Sequence, residues 1–133
     1  MKVVHATGKR KRAIARATLK AGKGKIRINN IPLDFYEPKL ARLKLREALI
    51  LARDIVNKVD IDINARGGGV NSQAEASRLA IAKVLVEHTK SDKLKEKFLE
   101  YDRNLLVADV RRKETSKPNR HGQARAKRQK SYR

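Results

Sequence analysis

From Ala13 to Lys20 the side chains alternate in character, with Ala13, Ala15, Ala17 and Leu19 on one side of an extended chain and Arg16 and Lys20 on the other. That alternation predicts a strand, and its small inner residues predict that something packs closely upon them. A shorter strand over residues 3–8 is expected to stop at Gly8, leaving Lys9-Arg10-Lys11-Arg12 as a loop. Ala21-Gly22-Lys23-Gly24 has the composition of a turn, and Lys25 to Asn29 alternates again with Ile26 and Ile28 inward. The first third therefore reads as a basic antiparallel sheet region.

The period then changes. Pro38 suits a helix start, and Leu45, Ala48, Leu49, Ala52, Ile55, Val56 and Val59 form one helical stripe, with Lys44, Arg46, Arg53 and Lys58 off it. Asp60-Ile61-Asp62-Ile63-Asn64 returns to strict alternation and leads into Arg66-Gly67-Gly68-Gly69. Ser72-Gln73-Ala74-Glu75 matches a capping box, which predicts a helix running to about Thr89. A further helix, capped by Ser91 or Asp92, is expected to place Leu94, Phe98 and Tyr101 together. Leu105 to Val110 is a last apolar segment of open type, and no internal repeat is present.

Beyond Arg111 no periodicity remains. Residues 111–133 are basic, small or polar, and cannot bury enough apolar area to offset ordering entropy. The expected organisation is a body over residues 1–110 and an extended, disordered basic tail over 111–133. At about 3.3 Å per residue the tail reaches roughly 75 Å, against a radius of gyration of about 13 Å for the body.

Charge sharpens this division. Residues 1–33 hold ten Lys and Arg and no acid, and residues 111–133 hold ten more against Glu114 alone. The middle carries the other 14 basic residues (34 − 20) against 13 acids (14 − 1), a net of +1, within a formal total of +20. Cations gathered on an arm and a tail point to a polyanion, and nucleic acid rewards each of them by counterion release. A membrane is disfavoured because the tail has no large aliphatic residue, Phe or Trp to insert. With no cysteine, disulfides and cysteine-rich zinc sites are excluded. No stretch approaches a membrane span, so the chain is expected to be soluble and intracellular.

Few residues suggest chemistry. The triple glycine before a helix could cradle phosphate through backbone amides from Gly68 to Ser72, beside Arg66, or could be a plain strand-to-helix turn. No Gly-Lys-Ser/Thr follows it and its spacing does not fit a dinucleotide fingerprint. Asp60 and Asp62 would share one side of a strand, which suits a solvated face better than a catalytic pair. His5, His88 and His121 show no metal spacing, although His121 lies in the tail where it could stack on a base. Lys9, Arg10, Lys11, Arg12, Lys23 and Lys25 are candidate RNA contacts. So are Arg111, Arg112, Lys113, Lys117, Arg120, Arg125, Lys127 and Arg128 in the tail, with Lys130 and Arg133 beyond them. Aromatic residues are 4%, too few for a stacking platform. A DNA-compacting protein would want apolar wedges or a recognition helix, and an RNA-processing enzyme would want convergent acids or histidines; neither pattern is found.

These stretches closely resemble the family of small-subunit ribosomal protein nine in its archaeal and eukaryotic form. The matching residues are Thr7-Gly8-Lys9-Arg10-Lys11-Arg12-Ala13, Gly22-Lys23-Gly24, Val59-Asp60-Ile61, Arg66-Gly67-Gly68-Gly69 and Gln73-Ala74-Glu75-Ala76. Tyr101 to Asp109 and the terminal Gln129-Lys130-Ser131-Tyr132-Arg133 complete the match, while Asn71-Ser72 and Val110 depart from it. The resemblance implies an α+β domain like the second domain of ribosomal protein five, with a left-handed β-α-β crossover. It implies binding to small-subunit rRNA in the subunit head, neighbouring small-subunit proteins as partners, and a cytoplasmic place in the ribosome. No enzyme activity, cofactor, small-molecule substrate or membrane is implied. It also implies that the tail tip, Lys130, Ser131, Tyr132 and Arg133, approaches peptidyl-site tRNA.

Overall fold

The computed structural model describes residues 3–125. Strands β1 (Val4–Arg10) and β2 (Ala13–Ala21) form an antiparallel hairpin in which Arg10 faces Ala13, leaving Lys11 and Arg12 as a two-residue turn. Half of the expected loop over Lys9–Arg12, Lys9 and Arg10, is thus strand, and β1 does not stop at Gly8. Gly8 faces the core, where a β-carbon would stand 2.1 Å from the backbone oxygen of Ala76. This glycine serves the close approach of a helix, which single-sequence reading confuses with a strand end.

The sheet order is β1-β2-β5-β3-β4. Strand β5 (Val59–Arg66) pairs antiparallel with β2 and parallel with β3 (Ile26–Ile28); β4 (Ile31–Pro32) closes the far edge. The turn after β2 therefore does not fold β3 back onto β2, as an all-antiparallel reading would require. The amides of Gly22 and Gly24 donate instead to Lys58 and Val59 carbonyls, so the start of β5 enters between the two strands. From β3 the chain passes through a 3-10 turn at Leu33–Phe35, then α1 (Lys39–Leu51) and α2 (Arg53–Val56), before β5. This is a β-α-β connection of the kind that parallel strands require.

Ala41, Leu45, Ala48 and Leu49 form the buried stripe of α1, but the expected single helix ends before Val59, which is the first residue of β5. Helix α3 (Val70–Thr89) is buried around most of its circumference, through Ala74, Ala76, Ser77, Leu79 to Ala82, Val84 and Leu85. It lies across β1 and β2 and against α1. Alanines on both surfaces, Ala13, Ala15 and Ala17 of β2 and Ala76 and Ala80 of α3, are buried and let the layers approach closely. Helix α4 (Asp92–Tyr101) buries Leu94 and Phe98, whereas Tyr101 is 56% exposed and stands apart from them. A 3-10 turn at Arg103–Leu105 seats Leu105 in the core, and the chain then runs irregularly to the exposed Val110. The result is mixed α and β structure with helices on one face of a five-stranded sheet. Among the described residues the other sheet face is left to solvent.

Candidate nucleic-acid interface

The hairpin turn and the glycine loop meet. A β-carbon on Gly67 would stand 2.6 Å from the Arg12 carbonyl oxygen, and Gly67 and Gly68 adopt φ of 77° and 63°. Only glycine takes such a backbone without penalty while pressed against another loop. Gln73 Nε2 donates to the Gly67 carbonyl at 3.1 Å and steadies the turn. Arg66, across from Ile14 in the register, is exposed at the entrance. Helix α3 begins at Val70 with Gly69 as its N-cap, two residues before Ser72. The expected capping box is not formed; Ser72 makes no cap bond, and Glu75 is drawn elsewhere.

Glu75 sits under the hairpin. Its Oε2 accepts from Arg10 Nε at 2.7 Å, and its Oε1 pairs with Lys44 Nζ at 3.2 Å. Burial pushes the Glu75 carboxyl up, but the Arg10 and Lys44 contacts more than reverse this and hold it below its ordinary value. Arg10 also reaches Asp109 at 3.4 Å and the Arg111 carbonyl at 3.2 Å. The Asp109 carboxylate is bound by the Arg111 side chain and amide, which hold its pKa far below the usual range. Arg10 is therefore turned inward with its side chain 14% exposed, while Lys9, Lys11 and Arg12 remain exposed around it. The root of the tail leaves the body at this same end, beside the hairpin turn and the glycine loop.

Lys23 and Lys25 are not part of that cluster. They lie past the opposite end of β2, and with eight residue steps along the strand at about 3.3 Å each the two ends are about 26 Å apart. Their turn is organised by Asp60, whose Oδ1 accepts from the amides of Lys23 and Lys25 at 2.8 and 2.9 Å. Those bonds, the Lys25 amide first, lower the Asp60 pKa. Asp60 is thus a loop anchor rather than a free solvent-face carboxylate, a role that sequence distance concealed. Asp62 remains exposed, 3.8 Å from Lys20. Among the described residues no group of three or more His, Asp or Glu could hold a metal ion, and no helix is long and apolar enough to cross a membrane.

Arg111, Arg112, Lys113, Lys117, Arg120, His121 and Arg125 are all exposed. No helix or strand forms among the described residues after Leu105. Local bonds bend the chain through residues 117–123, with Gln123 donating its amide to the Arg120 carbonyl and Arg125 pairing with Glu114 at 2.7 Å. Lys127, Arg128, Lys130, Ser131, Tyr132 and Arg133 lie outside the described residues. Sequence reasoning passed over Arg27 and Asn64, which share the uncovered sheet face with Arg16. The alternation of β2 and β5 marked outward positions, but the pairing that makes them neighbours is a long-range fact.

A family model described as ribosomal protein S9/S16 matches residues 8–133, taking in the hairpin turn, the glycine loop and the tail. The chain belongs to the ribosomal protein S9/S16 family. It is 56% identical over an alignment of 134 positions that covers both chains in full to a protein of Methanococcus maripaludis strain C7 named small ribosomal subunit protein uS9. A protein of the same name from Methanothrix thermoacetophila is 56% identical over 133 residues, again covering both chains in full. The family resemblance carried by the sequence motifs is thereby confirmed. As a member of this ribosomal family the chain is a component of a ribonucleoprotein, and rRNA binding and translation are its setting.

Proposed function

We propose that this protein is a structural constituent of the small ribosomal subunit, bound to rRNA in the subunit head and touching peptidyl-site tRNA with its tail tip. The observation that carries this reading is the gathering of three cationic features at one end of the body. These are the Lys11-Arg12 turn, the Arg66–Gly69 loop with Ser72, and the root of the tail at Arg111 to Lys113. Lys23 and Lys25 supply a second contact at the far end of β2. The body, residues 1–110, carries the crossover with the left hand and the fold implied by the family resemblance. The tail, residues 111–133, passes between RNA segments and screens their phosphates. Neighbouring small-subunit proteins complete its surroundings, and it performs no catalysis.

Salt dependence tests the RNA reading. If the tail neutralises ten phosphates, log affinity for rRNA should fall against log salt with a slope near −7 to −9. A slope near zero ends the proposal. Deletion of residues 129–133 tests the tip, since subunit assembly should survive while peptidyl-site tRNA retention weakens. Unchanged retention removes the tip from the account.

A further inference from the structure

The sheet face that no helix covers is itself a built surface. Register places Lys9, Ile14 and Arg66 in one row, Thr7, Arg16 and Asn64 in the next, and His5, Thr18, Asp62 and Arg27 in a third. Arg16 and Arg66 are diagonal neighbours about 8 Å apart, and Arg16 and Arg27, separated by β5, are about 12 Å apart. Among the described residues Arg12, Arg16, Arg27 and Arg66 have no carboxylate partner, while other arginines of the body, Arg10, Arg46 and Arg78, do. The acid within these rows, Asp62, is 3.8 Å from Lys20. Two shallow hollows of about 270 and 340 Å³ occupy this face and share Arg16 and Asn64.

The chemistry of the surface selects its partner. These rows hold no Phe, Tyr or Trp and His5 is the one aromatic ring among them, so successive unpaired bases would find no stacking platform. Guanidinium groups suit phosphates, while Asn64 and Thr18 can both donate to and accept from a hydroxyl. A-form RNA presents a wide, shallow minor groove lined by 2′-hydroxyls and flanked by phosphates, which a flat sheet can meet. We propose that this uncovered face docks the minor groove of an rRNA duplex, with Arg16, Arg27 and Arg66 on phosphates and Asn64 and Thr18 on 2′-hydroxyls. The inference rests on the rRNA-binding reading above but assigns a surface separate from the tail.

The test uses the full chain with a blunt RNA duplex, a DNA duplex of the same sequence and a single RNA strand. Arg16→Gln/Arg27→Gln should lower the salt slope on duplex RNA by about 2, at about 0.9 per phosphate. Asn64→Ala should reduce the preference for RNA over DNA duplex by about fivefold, the worth of one net hydrogen bond. All three side chains point outward, so an unchanged melting temperature verifies the fold. The control pair Lys113→Gln/Lys117→Gln reports on the tail. If the control lowers the slope and the sheet variants do not, the sheet face is not an RNA surface while the general rRNA reading stands. If the wild-type slope is itself near zero, the general reading fails as well. Equal loss on duplex and single strand overturns the minor-groove assignment. Sheet variants that bind RNA normally but fail to enter the subunit would assign the face to a protein neighbour and overturn the proposal.

Discussion

Arg10 and Glu75, 65 positions apart, are joined by a 2.7 Å bond from Nε to Oε2. One cation of the four-residue basic run is thereby engaged within the body. Through this pair the hairpin is fixed to α3, through Lys44 to α1, and through Asp109 to the root of the tail. Charge in the run is divided between holding the body together and facing outward.

Lys9 and Arg10 should separate cleanly on substitution. Arg10→Gln leaves Glu75 and Asp109 with fewer partners in a half-buried setting and should cost about 2 kcal/mol of stability. Lys9→Gln, on an exposed side chain, should change stability by less than about 0.5 kcal/mol. It should still weaken rRNA binding and lower the salt slope by close to 1. Urea denaturation and filter binding measure the two effects.

The carboxylates set an acid limit. Glu75, Asp60 and Asp109 are all held below their ordinary values, 4.5 for Glu75 and 3.8 for the aspartates. A depressed carboxyl stabilises the fold above its ordinary value, and that contribution disappears as pH falls through the depressed one. Stability should therefore be nearly level from about pH 7 to 5 and fall below about pH 4. Glu75→Gln should be less stable than the parent at neutral pH, and the two should converge in acid. A parallel offset at every pH would contradict this assignment.

Gly8 should tolerate no side chain. Gly8→Ala drives a methyl toward the Ala76 carbonyl at 2.1 Å and the Ala80 amide at 2.9 Å, so α3 must move. A loss of about 3 kcal/mol is expected, at the upper end for overpacking. A melting temperature within error of the parent would show that α3 does not press on this strand.

Lys11 carries φ of 53° at the hairpin turn. A left-handed conformation costs a residue with a β-carbon about 1 kcal/mol, so Lys11→Gly should raise stability by up to that amount. The same change removes an exposed cation and should lower rRNA affinity. Stability and binding would then move in opposite directions, which chemical denaturation and binding isotherms can register together.

Local patterns in the sequence were dependable where one face of an element is buried. The alternation in β2 and β5 placed Ala13, Ala15, Ala17, Ile61 and Ile63 correctly, because a half-buried strand writes its own register. Tertiary contacts decided the rest. Val59 fits a helical stripe by position, yet pairing with Ala21 of the antiparallel partner β2 takes it into a strand. Ser72 and Glu75 have capping-box spacing, but the glycine loop starts the helix earlier and Arg10 claims the glutamate. The basic turn and the glycine loop could each be found in the sequence as separate motifs. Their contact at Gly67 and Arg12, and the distance from Lys23, depend on pairings that no local window contains.

The Arg10–Arg111 contact spans 101 positions of chain. Closing so long a loop is entropically slow compared with forming the hairpin or α3 from nearby residues. Formation of the hairpin and α3 from nearby residues can therefore precede the fastening of the tail root, which closes late. Maturation would then have a built-in sequence in time, with a finished platform first and a positioned arm afterwards.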